Sequence, residues 1–298
     1  MTQSTSFWTF QLGTAWRNTR GKSFPARTQE WTGFARQMLR RHHSASGSPM
    51  VGASVAAGDQ LTLIVLNHRR PQNVGRIVQY ALRSGFIGRV IVANNSQAYP
   101  IEHYISVRDR RLVLINQSEP AGVGISMELA RQNPSRLYLR VDDDIFLHPT
   151  QLEWIYWNLR THPERPHGIF GAAFKSDGGS TNGWPFVHTR HQTGPVDILN
   201  GLFAFTANHL DEYFRLCAEV GIEDQRKLMN GEDNVLSFSG QKRPLIHDIG
   251  PIWECASEAL PGVALHQTRP GFYEERWRIY SHLQALKNLA PEQQDSLA

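Results

Sequence analysis

From residue 61 onward, short apolar runs that end in polar residues alternate with apolar residues spaced three and four apart. Residues 61–66 (LTLIVL) are continuously apolar, the mark of a strand covered on both faces, and the run stops at Asn67-His68-Arg69-Arg70-Pro71. Val74, Ile77, Val78, Ala81 and Leu82 then recur on one helical face, with Asn73 as the expected cap and Gly85 as the expected stop. Residues 89–93 and 112–115 predict two more strands, the first running into Asn94-Asn95-Ser96. A glycine-bearing loop, 119–124, leads into a helix through Met127, Leu129 and Ala130. Leu137, Leu139 and Val141 alternate as in a half-buried strand, and this strand runs into Asp142-Asp143-Asp144. Behind it, Leu152, Ile155, Tyr156 and Leu159 predict a helix opened by Pro149 or Thr150.

The second half is less regular. Residues 168–174 predict a strand, and 175–194, rich in Gly, Ser, Thr, Asn and His, a loop or hairpin. Residues 196–205 predict a strand interrupted by Gly201, a glycine that marks a bulge or a close backbone approach. A helix over 209–220 follows, then a short one over 235–239. With Gly231 or its neighbour as cap, Glu232 and Asp233 occupy the first turn of that short helix, where its dipole favours acids. A late strand at 244–247 and a basic, aromatic helix at 274–289 complete the pattern. Strand–helix alternation of this kind predicts an α/β fold, a mostly parallel sheet flanked by helices.

Residues 1–58 read as a basic extension and linker, 59–285 as the domain and 286–298 as a polar tail. In the extension, Trp31, Phe34 and Met38 share a helical face with Arg36, Arg40 and Arg41 on its flank. Packing on the domain is the first reading of that helix; peripheral contact with an anionic membrane is the second. The chain has 298 residues, of which 40% are hydrophobic and 19% charged, enough for a normal core. Net charge is +4 but uneven: residues 1–58 hold seven Arg or Lys and one Glu, so the remainder is slightly acidic. Cys217 and Cys255 lack metal-ligand spacing and read as free thiols, a single disulfide being the alternative. There is no signal-peptide pattern and no run of about 18 apolar residues, which gives a soluble cytoplasmic protein as the expectation. No nucleic-acid-binding module, dinucleotide fingerprint or phosphate-binding P-loop is present.

The chemistry concentrates at Asp142, Asp143 and Asp144. Neighbouring carboxylates about 5 Å apart repel by roughly 3 kcal/mol per pair at an effective dielectric near 20, so such a cluster needs water or a cation. Hard divalent ions bridge one or two carboxylates to substrate phosphates, and ligands of open α/β sheets bind beyond the carboxyl ends of strands. The triplet stands at such an end, which points to a site for metal and diphosphate.

The ordered set resembles a GT-A-type glycosyltransferase and, within that superfamily, the exostosin-like glycosyltransferase domain; the large inverting family of sugar transferases is the next relative. The likeness spans roughly residues 60–280 and rests on the opening strand with its Asn67-His68-Arg69-Arg70-Pro71 turn, the second strand with Asn94-Asn95, the Asp142-Asp143-Asp144 motif, Asn230-Gly231-Glu232-Asp233-Asn234, and His266. His68 where an aromatic is usual, the loop 121–126, and Glu232-Asp233 in place of two Asp depart from the exostosin-like pattern and leave a retaining or inverting outcome open. The resemblance implies metal-dependent transfer of a sugar from a nucleoside diphosphate-sugar, UDP-sugar first, to a hydroxyl of a glycan or glycoconjugate, with Mn²⁺ or Mg²⁺ as cofactor. It implies Asp144 and His266 as metal ligands, His247 being a rival. Asn67, Arg70, Asn94, Asn95, Asp142 and Asp143 would bind the donor, and Asn200 and Gly201 would lie on the acceptor side. Asp233 would act as general base or acceptor-positioning carboxylate, with Glu232 beside it. A nucleotidyltransferase of similar fold and a non-catalytic carbohydrate-binding descendant are the alternatives.

Overall fold

The computed structural model describes residues 55–56, 58–68, 70–95, 99–174, 186–250, 252–254, 265 and 269–288. The basic extension to residue 54, Cys255 and His266 lie outside the described residues. Strands β1 (Leu61–Asn67), β2 (Ile87–Asn94), β3 (Leu112–Asn116) and β4 (Leu137–Asp142) run parallel in the order β3-β2-β1-β4. This is the expected mostly parallel sheet, and helices cover both of its faces. On one side Leu63 and Val65 of β1 meet Val74, Ile77 and Val78 of α1 (Pro71–Leu82) and Leu152 and Ile155 of α3 (Pro149–Thr161). On the other side Ile64 and Leu66 join Met127 and Leu129 of α2 (Ile125–Gln132). The unbroken apolar run of β1 follows from this double covering, with every residue buried.

The C-terminal half adds antiparallel strands. β9 (Ile198–Thr206) pairs with β4, and β6 (His167–Phe174) pairs with β9 and with β7 (Phe186–Arg190). β8 (Gly194–Pro195) and β10 (Leu245–Ile246) complete that edge, while β5 (Ile145–Phe146) and β11 (Trp253–Glu254) form a separate ladder. Helices α4 (Ala207–Glu219), α5 (Glu232–Phe238) and α6 (Phe272–Asn288) pack on the α2 face. The last helix therefore takes in residues 286–288 of the expected tail. Among the described residues no helix is long and apolar enough to cross a membrane.

Three local details bear on the site. Pairing runs from Gly168↔Phe203 to Phe170↔Asn200, so β9 advances three residues while β6 advances two. The extra residue is a bulge at Gly201, whose φ of +66° suits glycine. Asn73 does not cap α1: Pro71 opens the helix after Arg70, and the Asn73 amide donates to the Asp143 carbonyl at 2.8 Å. Gly122 lies so close to the 225–229 segment that an added Cβ would stand 2.0 Å from the Leu228 carbonyl oxygen.

Candidate active site at the carboxyl edge of the sheet

Register aligns the ends of the parallel strands. Asn67 pairs with Asn94, Asn94 with Asn116, and Leu66 with Asp142, so polar residues line one edge. A cleft of about 240 Å³ opens there, lined among others by His68, Arg70, Arg140, Gly201, Glu232 and Arg276 together with Asp142, Asp143 and Asp144.

The acidic triplet is held by the turn after β1. The His68 N–H donates to Asp143 at 3.0 Å, and Arg70 Nη1 reaches Asp143 at 2.8 Å and Asp144 at 2.7 Å. Arg70 is thus tied to two carboxylates while lining the cleft. Asp143 and Asp144 are buried, whereas the Asp142 side chain keeps 37% of its surface open.

Beneath Asp142 lies Arg140, a residue to which the sequence reading gave no role. Side chains two apart on a strand share a face, so Arg140 stands beside Asp142. Its Nη1 meets Asp142 Oδ1 at 2.5 Å, its Nη2 meets Glu232 Oε1 at 3.4 Å, and its guanidinium lies 4.9 Å from the centre of the Phe203 ring. Arg140 therefore joins the triplet to the acidic pair on α5. Although partly open, Asp142 is withdrawn from bulk water in the cleft, which raises its carboxyl above the ordinary range; repulsion from Asp144 and Asp143 adds to this and Arg140 opposes it. Burial, then the adjacent Asp233, likewise raises the Glu232 carboxyl above the ordinary range.

Asp233 is bound differently. Arg276 of α6 takes both of its oxygens at 2.7 Å, and the Asn234 N–H donates to Oδ1 at 2.8 Å. Arg276 also reaches Asn200 Oδ1 at 3.4 Å and Asn230 Oδ1 at 3.2 Å. It was legible only as one cation in a basic helix. Its spacing from Phe272, Ile279 and Leu283, which puts all four on one helical face, is the signal that marks it as inward-facing. Gly231 caps α5 with φ +91°, placing Glu232 and Asp233 in the first turn as expected.

The asparagines join the strand ends to one another and to the loops beyond. Asn94 is fully buried; its amide donates to the Tyr99 carbonyl and to Asn116, and its oxygen accepts from Asn67 at 2.7 Å. Asn67 is equally buried, and Asn95 donates to the Ala121 carbonyl. None of the three lines the cleft. Amides at the ends of three parallel strands bond to one another, which holds Asn94 by structural contacts. Asn200 stands behind Arg276, and Gly201 lies against Asp142, with an added Cβ 3.4 Å from Asp142 Oδ2. His247 is buried just past β10, 2.8 Å from His167 Nδ1, and does not line the cleft.

Among the described residues no three His, Cys, Asp or Glu side chains are grouped as a metal cage. The donor set still suits a hard ion. Five carboxyl groups face three guanidinium groups in one cleft, an excess of two negative charges when all are ionised. A divalent ion that keeps phosphate and water ligands needs only one or two protein carboxylates.

No protein-family model matches the chain. No curated protein matches it either. Solved structures do. The chain is similar to GalNAc-T7 with UDP, GalNAc and Mn²⁺ at 10% identity and a TM-score of 0.47, over 65% of this chain and 43% of that one, so it spans less than half of that protein's length. It is similar to S. aureus TarS 1–349 at 13% identity and a TM-score of 0.44, over 76% of this chain and 70% of that one. It is also similar to CMP:2-keto-3-deoxy-manno-octonic acid synthetase complexed with CTP, at 11% identity and a TM-score of 0.36, over 53% and 78%.

Proposed function

We propose that the chain is a metal-dependent glycosyltransferase that moves a sugar from a nucleoside diphosphate-sugar, UDP-sugar first, to a hydroxyl of a glycan or glycoconjugate. One observation carries this reading: the Asp142–Asp144 turn and the Glu232-Asp233 pair meet in a single cleft through Arg140. A leaving-group site and an acceptor site must lie this close for direct transfer. Asp144 and Asp142 are the carboxylates that would hold Mn²⁺ or Mg²⁺; His266, outside the described residues, is a further ligand in this proposal. The bound ion would neutralise charge on the departing diphosphate.

The remaining steps belong to the chain's own groups. Asp143, pinned by His68 and Arg70, fixes the turn that presents Asp144. Two observations favour Glu232 over Asp233 as the group that takes the acceptor proton in an inverting reaction. Both Asp233 oxygens are engaged by Arg276, which leaves it to steady the acceptor side. Glu232, whose burial beside Asp233 raises its proton affinity above that of an ordinary carboxylate, is the better placed to accept a proton.

Product analysis tests the reading. Incubation with a panel of sugar nucleotides and Mn²⁺ is expected to release nucleoside diphosphate. Release of pyrophosphate from sugar phosphate and nucleoside triphosphate would instead assign a nucleotidyltransferase.

A further inference from the structure

The outer surface of the α1 and α3 layer carries two indoles and several guanidinium groups. α3 buries Leu152, Ile155, Tyr156 and Leu159, which turns Trp154 and Trp157 outward; they are exposed at 61% and 49%. Residues three and four apart on a helix share a face, so Thr150, Asn158 and Thr161 surround the two indoles. α1 lies on the same side of the sheet and buries Val74, Ile77, Val78 and Ala81. Its opposite face presents Arg76, Gln79 and Tyr80, with Arg83 one residue past its end. Phe86 joins the two helices, its ring 4.9 Å from that of Tyr156 and 6.1 Å from that of Trp157. The Arg83 guanidinium stands 5.7 Å from the centre of the Tyr80 ring. None of these outward residues lines the cleft.

Two features say what this surface meets. The first is charge. α1 has no acidic residue and α3 has Glu153 alone, against Arg76, Arg83 and Arg160. Asp59, 3.3 Å from Arg160, is shared with Arg136 at 2.8 Å, so the local balance stays positive. The second is the state of the polar side chains around the indoles. Asn158 Nδ2 donates to the Trp154 carbonyl at 2.8 Å, and Thr161 Oγ1 donates to the Trp157 carbonyl at 2.8 Å. Thr150 Oγ1 lies 2.9 Å from His148 Nδ1. These groups are engaged within their own helix and its cap, and a polar group that is already hydrogen-bonded loses little on leaving water. For the same reason they offer few directional bonds to a protein partner. A lipid bilayer suits this combination, with indoles at headgroup depth and arginines on the lipid phosphates.

We infer that the outer face of α1 and α3 docks on an anionic lipid bilayer, with Trp154 and Trp157 entering the interface and Arg83 meeting the headgroups. This face is distinct from the basic extension, and it does not depend on the transferase reading of the cleft.

The test floats the full chain with vesicles of phosphatidylcholine alone and of phosphatidylcholine with phosphatidylserine. Binding is expected with the anionic vesicles only, and it should weaken as salt rises. Trp154→Ala and Trp157→Ala should each weaken it about tenfold, the scale of part of an indole returned to water. Arg83→Gln should weaken it about fivefold, the scale of one basic residue near an anionic surface. Trp154→Phe should keep most of the binding, and melting temperatures, measured alongside, should match the parent. Absence of binding to anionic vesicles, equal binding to neutral ones, or undiminished binding by the Trp154→Ala/Trp157→Ala double variant would overturn the assignment. The last result would put membrane contact elsewhere in the chain. Trp-dependent binding to soluble polyglutamate without binding to vesicles would also overturn it and assign an acidic protein partner.

Discussion

Glu232 and Asp233 are adjacent carboxylates with different surroundings, and surroundings divide their roles. One faces Arg140 at 3.4 Å, and the other is clamped on both oxygens by Arg276. Glu232→Gln keeps size and hydrogen bonding but removes the proton acceptor. In the inverting case it is expected to lower turnover by roughly 10²–10⁴ while donor binding stays unchanged. An equal loss in both, by single-turnover kinetics and donor titration, would move the role elsewhere. The buried histidines give a separate prediction. His167 Nε2 lies 2.8 Å from the His162 carbonyl and must donate to it, so His167 Nδ1 accepts and His247 Nε2 donates. Burial holds His167 at about 4 and His247 at about 3, against 6.5 ordinarily. The unfolded chain therefore takes up protons that the folded chain refuses. Their contribution to stability is intact above pH 6.5 and is lost as pH falls from there toward 4 and 3. Asp142 and Glu232, raised rather than lowered, act in the opposite sense, so the comparison is between variants. His247→Gln keeps the donor and removes one titrating ring; its melting temperature should fall less steeply between pH 6.5 and 4 than that of the parent. Identical slopes would contradict this account of the pair.

At the level of elements, the parallel strands and their helices were legible because each announces itself locally. An unbroken apolar run marks β1, spacing by three and four marks α1 and α3, and acids end β4. Gly201 was legible as a bulge for a similar reason, since only glycine accepts its backbone angle freely. The two-residue strands β5, β8 and β11 carry no period and were not legible as such, whereas β10 falls inside the expected strand at 244–247. Nor were the links from Arg140 to Glu232 and from Arg276 to Asp233, which join elements far apart in the chain. The bonds among the asparagines were not legible either, because a strand-end amide looks alike whether it faces a ligand or another strand end. The glycine loop before α2 illustrates a constraint that sequence marks without explaining. The Gly122 N–H donates to the Arg226 carbonyl at 2.6 Å, and a side chain there would collide with the Leu228 backbone. Gly122→Ala is expected to cost about 1–3 kcal/mol, the scale of overpacking, read as a lower denaturation midpoint. An unchanged midpoint would mean that the two segments part freely.

Across the whole molecule, the sheet collects on one edge what the sequence disperses. Strand direction puts Asp142 beside the end of β1, antiparallel β9 brings Gly201 against it, and α5 and α6 close the far wall with Glu232, Asp233 and Arg276. The resulting excess of two carboxyl groups over guanidinium groups predicts a cation and a polyphosphate that bind together. The most direct test is thermal unfolding of the full chain with UDP, with Mn²⁺, and with both. Ligands of the folded state raise the melting temperature by mass action. The expected result is a shift with both that exceeds the sum of the separate shifts and is abolished in Asp144→Asn. Stabilisation by UDP that is the same without metal, or that survives Asp144→Asn undiminished, would contradict the account.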